Sequence, residues 1–184
     1  MVADYKFYAL NSLEQRLAKV MGKERCKNNQ NRNVKEQIQS QRDPVEISIE
    51  GCAGELVACR HYNAYPDLET DISPTDYPDA DLIVSNIKVD VKTAHWDFDK
   101  PNQYPETMWS SRKNDRKAKS DVDVYVFVRG SMPKYQICGW QYKSEHQKYE
   151  KTNPRTGESY YYCLEKHLRP MYESYDPNFF YRNT

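Results

Sequence analysis

The stretch DADLIVSNIKVDVKTA, Asp79 to Ala94, holds two apolar runs separated by Ser85-Asn86, with Asp81 just before the first and Asp90 inside the second. Read as antiparallel strands, Asp81–Val84 and Ile87–Thr93, joined by a two-residue turn, it acquires a register by counting. Val84 then faces Ile87, Ile83 faces Lys88, Leu82 faces Val89 and Asp81 faces Asp90. Side chains alternate along a strand, so Ala80, Leu82, Val84, Ile87, Val89 and Val91 share an apolar face, while Asp81, Asp90 and Lys92 share the other. Two carboxylates directly across a strand pair repel. If both stay ionised, a positive charge belongs between them. Oxygen ligands at that separation suit Mg²⁺, or Mn²⁺ in its place, hard cations that keep waters and accept phosphate oxygens. Lys92, one pleat further on, is placed to polarise or deprotonate a water beside such an ion, and the hydroxide attacks a phosphodiester in line. Asp-x-Lys alone is a common tripeptide, and the plain alternative is an exposed hairpin in which Lys92 offsets one aspartate.

The rest of the chain suits a soluble enzyme. Its 184 residues make one ordinary domain, with 38% hydrophobic and 29% charged residues. No apolar run approaches the roughly 18 residues of a membrane span, and the start lacks the apolar core of a secretory signal, so a cytoplasmic location and no membrane partner are expected. Cys26, Cys52, Cys59, Cys138 and Cys163 are scattered without a CxxC pair, which predicts buried thiols instead of a disulfide framework or zinc ribbon. The net charge of zero hides a partition: Glu46 to Asp99 carries −9, between basic flanks. Such a centre can hold cations while the flanks attract a polyanion; solvated surface charge is the competing reading.

Asn11 to Met21 reads as a short amphipathic helix with Leu13, Leu17, Val20 and Met21 on its buried stripe, followed by a polar segment. Asp43 as cap and Pro44 at the first position start a second helix, Pro44 to His61, burying Ile49, Cys52, Ala53, Leu56, Val57 and Cys59, with Glu55 at the edge of that stripe. The segments around Asn63–Asp81 and His95–Trp109 read as loops. DVDVYVFVRG, apolar on both sides, reads as a central strand, KYQICGWQY as another, and the segment around Asn153–Gly157 as a hairpin.

Together, Pro78, Asp79 or Asp81, then Asp90-Val91-Lys92, preceded by Glu55 on a helix, resemble the PD-(D/E)xK nuclease superfamily, the fold of type II restriction enzymes, Holliday-junction resolvases and lambda-type exonucleases. The resemblance covers about Asp43 to Gly139. It implies an α/β, restriction-endonuclease-like fold: a mixed central sheet of four or five strands flanked by helices, spanning 43–184 behind a helical and polar arm at 1–42. It also implies that Asp81, Asp90 and the Val91 carbonyl bind the metal, that Lys92 serves the attacking water, and that Glu55 supports the metal site. The literal Pro-Asp is Pro78-Asp79; the register selects Asp81 and leaves Asp79 in reserve.

The expected activity is Mg²⁺-dependent hydrolysis of DNA, as an endonuclease, with RNA not excluded; duplex cleavage by one site per chain favours a homodimer. Arg112, Lys113, Arg116, Lys117 and Lys119 are candidate phosphate contacts. Trp96, Trp109 and Tyr160-Tyr161-Tyr162 are available to stack on bases or to pack, and His95 to reach the cleft. The alternative class is a catalytically inactive nuclease-fold module that binds nucleic acid or a protein partner.

Overall fold

In the computed structural model, which describes residues 6–31, 42–68, 70, 80–100, 108–112, 122–154, 157 and 159–171, the hairpin forms in the register that counting gives from Leu82 to Val84, whereas Asp81, expected opposite Asp90, instead donates its amide to the Val89 carbonyl. Strand β2 (Leu82–Val84) pairs with β3 (Ile87–His95), Leu82 opposite Val89, Ile83 opposite Lys88 and Val84 opposite Ile87. Ser85 and Asn86 both take positive φ, 48° and 69°. That geometry matches the twist of the two strands and lets them join in two residues.

Before the hairpin come β1 (Lys6–Ala9), α1 (Ser12–Asn31) and α2 (Pro44–Tyr62). After it come β4 (Met108–Arg112), β5 (Val124–Ser131), β6 (Lys134–Tyr142), the one-turn helix α3 (Lys143–His146), β7 (Glu150–Thr152) and β8 (Ser159–Leu164). The chain is mixed α/β. Its main sheet has five strands in the order β1-β6-β5-β3-β2, with β3 and β5 parallel and the other pairs antiparallel. β5 stands at the centre, as its two apolar sides require. A second sheet of three strands, β4-β8-β7, contains the expected hairpin around Asn153–Gly157.

The two faces of the main sheet are covered differently. Helix α2 packs Cys52, Ala53, Leu56 and Val57 against Val89, Val91, Val124, Val126 and Val128. Each fully buried valine contributes about 1.5–3 kcal/mol, so this face anchors the fold. The opposite face, bearing Tyr125 and Phe127, meets Trp109 of β4 and Cys163 of β8. Among the described residues the expected pair of helical flanks is therefore one helical layer and one small sheet.

Helix α2 starts and stops by local chemistry. Its Asp43 side chain accepts from the Val45 amide at 2.9 Å, Pro44 occupies the first turn, and Asn63 closes the end in the left-handed conformation. The Asn11 side chain caps α1 by accepting from the amides of Leu13 and Glu14, while Glu14 accepts from the Asn11 amide. Met21 is buried and Leu17 packs half-buried on the core as expected, but the helix runs on to Asn31 and completes its buried stripe with Ala18, Gly22 and Cys26. Leu13 and Val20 are 66% and 61% exposed. The cause is close approach: a Cβ on Gly22 would collide with the Ile49 backbone, so the face bearing small residues is the one that fits against α2.

Two further departures concern strands. Met108 and Trp109, expected as the end of a loop, open β4, whose Met108–Arg112 pairs with β8, and Lys6–Ala9 pairs with β6. Thus β1 and α1, both from the first 42 residues, join the sheet edge and the α2 layer; residues 32–41 lie outside the described ones. All five cysteines are buried thiols. Among the described residues no helix is long and apolar enough to cross a membrane.

Candidate active site

The site begins where β2 ends. Along β3, backbone groups alternate between the two neighbouring strands. The Lys88 carbonyl accepts from the Asp123 amide on the β5 side, and the Val89 carbonyl accepts from the Asp81 amide on the β2 side. Val91 therefore turns both its amide and its carbonyl toward the β2 side, and β2 has already stopped at Leu82. The Asp81 carboxylate fills part of the gap, accepting from the Val91 amide at 2.7 Å. The Val91 carbonyl faces the same opening.

Asp90 and Lys92 point to the sheet face away from α2, beside Tyr125 and Phe127, their register partners on β5. The Asp90 carboxylate is completely buried and forms an ion pair with the Lys92 ammonium, whose side chain is 16% exposed. Asp81 is buried as well. Each buried carboxylate has its own counterpart, Lys92 for Asp90 and the Val91 amide for Asp81, as a charge removed from solvent requires.

Glu55 lies on α2, which covers the opposite face. Its carboxylate is held by the Arg25 guanidinium, with Arg25 Nη1 at 2.8 and 2.7 Å from the two oxygens, and Arg25 also donates to the Asp67 carbonyl. Burial opposes the Arg25 charge, yet the negative charges of Glu55 and, more weakly, Asp81 hold its pKa above the ordinary value. Burial, then Glu55, Asp81 and Asp67, push the nearby Cys59 thiol up to about 12. Glu55 and Asp81 thus share one electrostatic neighbourhood, while Asp90 and Lys92 form an ion pair on the other side of the sheet.

Two residues that the sequence does not single out complete the surroundings. Arg25 sits in the polar segment of α1, 30 positions from its partner Glu55. His146, on α3, is completely buried against Tyr125. Burial first, then the Lys92 charge, lower its pKa to about 4, with Asp90 opposing. Neither has a short-range sequence signal, since each reaches the site only through packing of distant elements.

The other candidates divide. His95 falls on the α2 face, where its Nδ1 lies 2.7 Å from Glu50; alternation along β3 puts it opposite Lys92, so it does not join the Asp90–Lys92 face. Trp109 is buried and donates from Nε1 to the Val128 carbonyl at 2.8 Å, and Trp96 lies under the Arg129 guanidinium, 4.8 Å from its ring. Both indoles pack. Tyr160, Tyr161 and Tyr162 lie half-buried on β8. Arg112 ends β4 opposite Tyr160. Lys113, Arg116, Lys117, Lys119 and Asp79 lie outside the described residues.

Among the described residues no three His, Cys, Asp or Glu side chains converge as a metal site. An ion here would rest on Asp81, Asp90, the Val91 carbonyl and waters. By chemical type, two carboxylates with retained waters are Mg²⁺ donors, not zinc ones. No protein-family model matches the chain, and no curated protein is found to be similar to it.

Proposed function

We propose that the chain is a metal-dependent nuclease of the PD-(D/E)xK, restriction-endonuclease-like type, hydrolysing phosphodiester bonds of DNA as an endonuclease. The observation that supports this most is the run Asp90-Val91-Lys92 on β3, with Lys92 ion-paired to the buried Asp90 and the Asp81 carboxylate on the amide of the intervening Val91. Asp81, Asp90 and the Val91 carbonyl would hold Mg²⁺ or Mn²⁺, with Glu55 supporting from α2. When bound, that ion supplies positive charge for the phosphate oxygens and lowers the pKa of water.

The chain's own residues do the remaining work. Asp90 fixes the ammonium of Lys92, and Lys92 orients the water whose oxygen bonds to phosphorus as the phosphodiester P–O bond breaks. The Arg25 guanidinium counters the charge of the half-buried Glu55 in the neighbourhood of Asp81. A strip of basic residues from Arg112 to Lys119 would contact phosphates, and a homodimer would bring two sites to a duplex.

The test is incubation of supercoiled, linear, single-stranded and branched DNA, and of RNA, with Mg²⁺ or Mn²⁺, comparing the wild type with Asp90→Ala and Lys92→Ala. Cleavage by the wild type and none by either variant is expected. Cleavage that survives both substitutions overturns the site, and binding without cleavage by any form makes the chain an inactive nuclease-fold module.

A further inference from the structure

The register of β3 on β5 places Tyr125 beside Asp90 and Phe127 beside Lys92, all on the face turned away from α2. The Lys92 ammonium lies over the Tyr125 ring, 5.4 Å from its centroid. The His146 ring lies 4.8 Å from the Tyr125 centroid and 5.7 Å from that of Phe127, with Tyr161 of β8 behind it at 6.1 Å. Tyr125, Phe127 and His146 are buried, with 1% or less of each exposed. They form a rigid wall in the layer between the main sheet and the small sheet.

A lysine on a four-carbon stem has many rotamers, and one ion pair at its tip does not select among them. A catalytic amine that wanders by an ångström loses much of its effect. We propose that Tyr125 and His146 are positioning residues for Lys92: together they form an aromatic seat that holds its ammonium in one place against Asp90. The aromatic face attracts the cation, and the imidazole backs the tyrosine ring without adding a competing charge. Burial and the charge of Lys92 keep that imidazole neutral, which suits the role, since a second cation there would push Lys92 out.

The functional meaning of the seat rests on the nuclease reading above; the seat itself does not. Two measurements separate them. In the first, the slowly exchanging side-chain ammonium signal of Lys92 is observed by heteronuclear NMR, assigned through its loss in Lys92→Gln, and followed in Tyr125→Leu, His146→Leu and Tyr125→Phe. The signal is expected in the wild type and in Tyr125→Phe, which keeps the ring, and is expected to vanish in both leucine variants. Absence from the wild type, or persistence in both leucine variants, overturns the seat. Tyr125→Met and His146→Met replace any leucine variant that does not fold, and Trp140→Phe, a buried ring on the α2 face, is the control that should leave the signal unchanged. In the second, saturating cleavage kinetics should show kcat lowered about tenfold or more in the leucine variants at unchanged KM, with Tyr125→Phe restoring it. A raised KM at unchanged kcat overturns the positioning role. If the wild type cuts no nucleic acid while the ammonium signal behaves as expected, the nuclease reading falls and the seat stands.

Discussion

The Asp81 carboxylate accepts the backbone amide of Val91 at 2.7 Å, in a buried position where β3 has lost its strand partner. One side chain thus continues the ladder and sets a carboxylate at the open edge of β3, on the residue that follows Asp90. Asp81→Asn keeps an acceptor for Val91 and removes the charge, so it should fold normally and bind Mg²⁺ far more weakly. Asp81→Ala strands the amide and should also cost about 1–3 kcal/mol in stability. Urea denaturation and Mg²⁺ titration calorimetry separate the two effects. Mg²⁺ binding unchanged in both variants would return the first-ligand role to Asp79.

Helix α2 comes close to β3 at Gly54, where an added Cβ would run into the Thr93 hydroxyl. Gly54→Ala should therefore lift the helix at the turn that carries Glu55, costing about 1–3 kcal/mol by overpacking. Three positions earlier, a Cβ on Gly51 meets nothing within 4 Å. Gly51→Ala should stabilise by about 0.5–1 kcal/mol, because alanine is the better helix former. The opposite signs are read by urea denaturation of the two variants, and equal losses would contradict the close packing of α2 on β3.

Ser85 and Asn86 both sit at positive φ, which serine tolerates less well than asparagine or glycine. The paired substitution Ser85→Asn with Asn86→Gly installs the residues that a type I′ turn favours and should raise stability by about 1 kcal/mol. The register does not change, so Mg²⁺ binding and cleavage should match the wild type. A drop in either would show that the turn also serves the site.

What the sequence reveals here is whatever local periodicity dictates. Counting across a two-residue turn sets the pairing of Leu82 with Val89; Asp43-Pro44 starts α2; and valines alternating with Tyr125 and Phe127 make β5 central. What it conceals depends on distant partners. Lys6–Ala9 and Met108–Arg112 have little pattern of their own and become strands because β6 and β8 offer open edges. The buried stripe of α1 is chosen by how near Gly22 comes to Ile49, not by hydrophobicity, which would have chosen Leu13 and Val20. The site divides in the same way. Asp90 and Lys92 share a face by strand alternation, whereas the seat of Asp81 on the Val91 amide, Arg25 on Glu55 and His146 behind Tyr125 depend on where β2 ends, on helix packing and on the layering of two sheets.

His61 makes the acid sensitivity of the fold testable away from the site. It is buried at the end of α2, its Nδ1 is 2.7 Å from the Tyr8 hydroxyl of β1, and burial, then the charge of Lys6, lowers its pKa to about 4 from the usual 6.5. In the unfolded chain the imidazole takes up a proton near its ordinary value, whereas in the folded chain it stays neutral. Stability is therefore fully present above about 6.5 and is lost as pH falls toward about 4, where the folded form also protonates. The loss should reach at most about 3 kcal/mol. His61→Gln keeps a polar partner for Tyr8 and cannot titrate, so its stability should fall less steeply than that of the wild type across this window. Urea denaturation at steps from pH 7 to pH 4.5 measures the difference, and parallel curves would mean that the His61 ring is hydrated and titrates normally in the folded state.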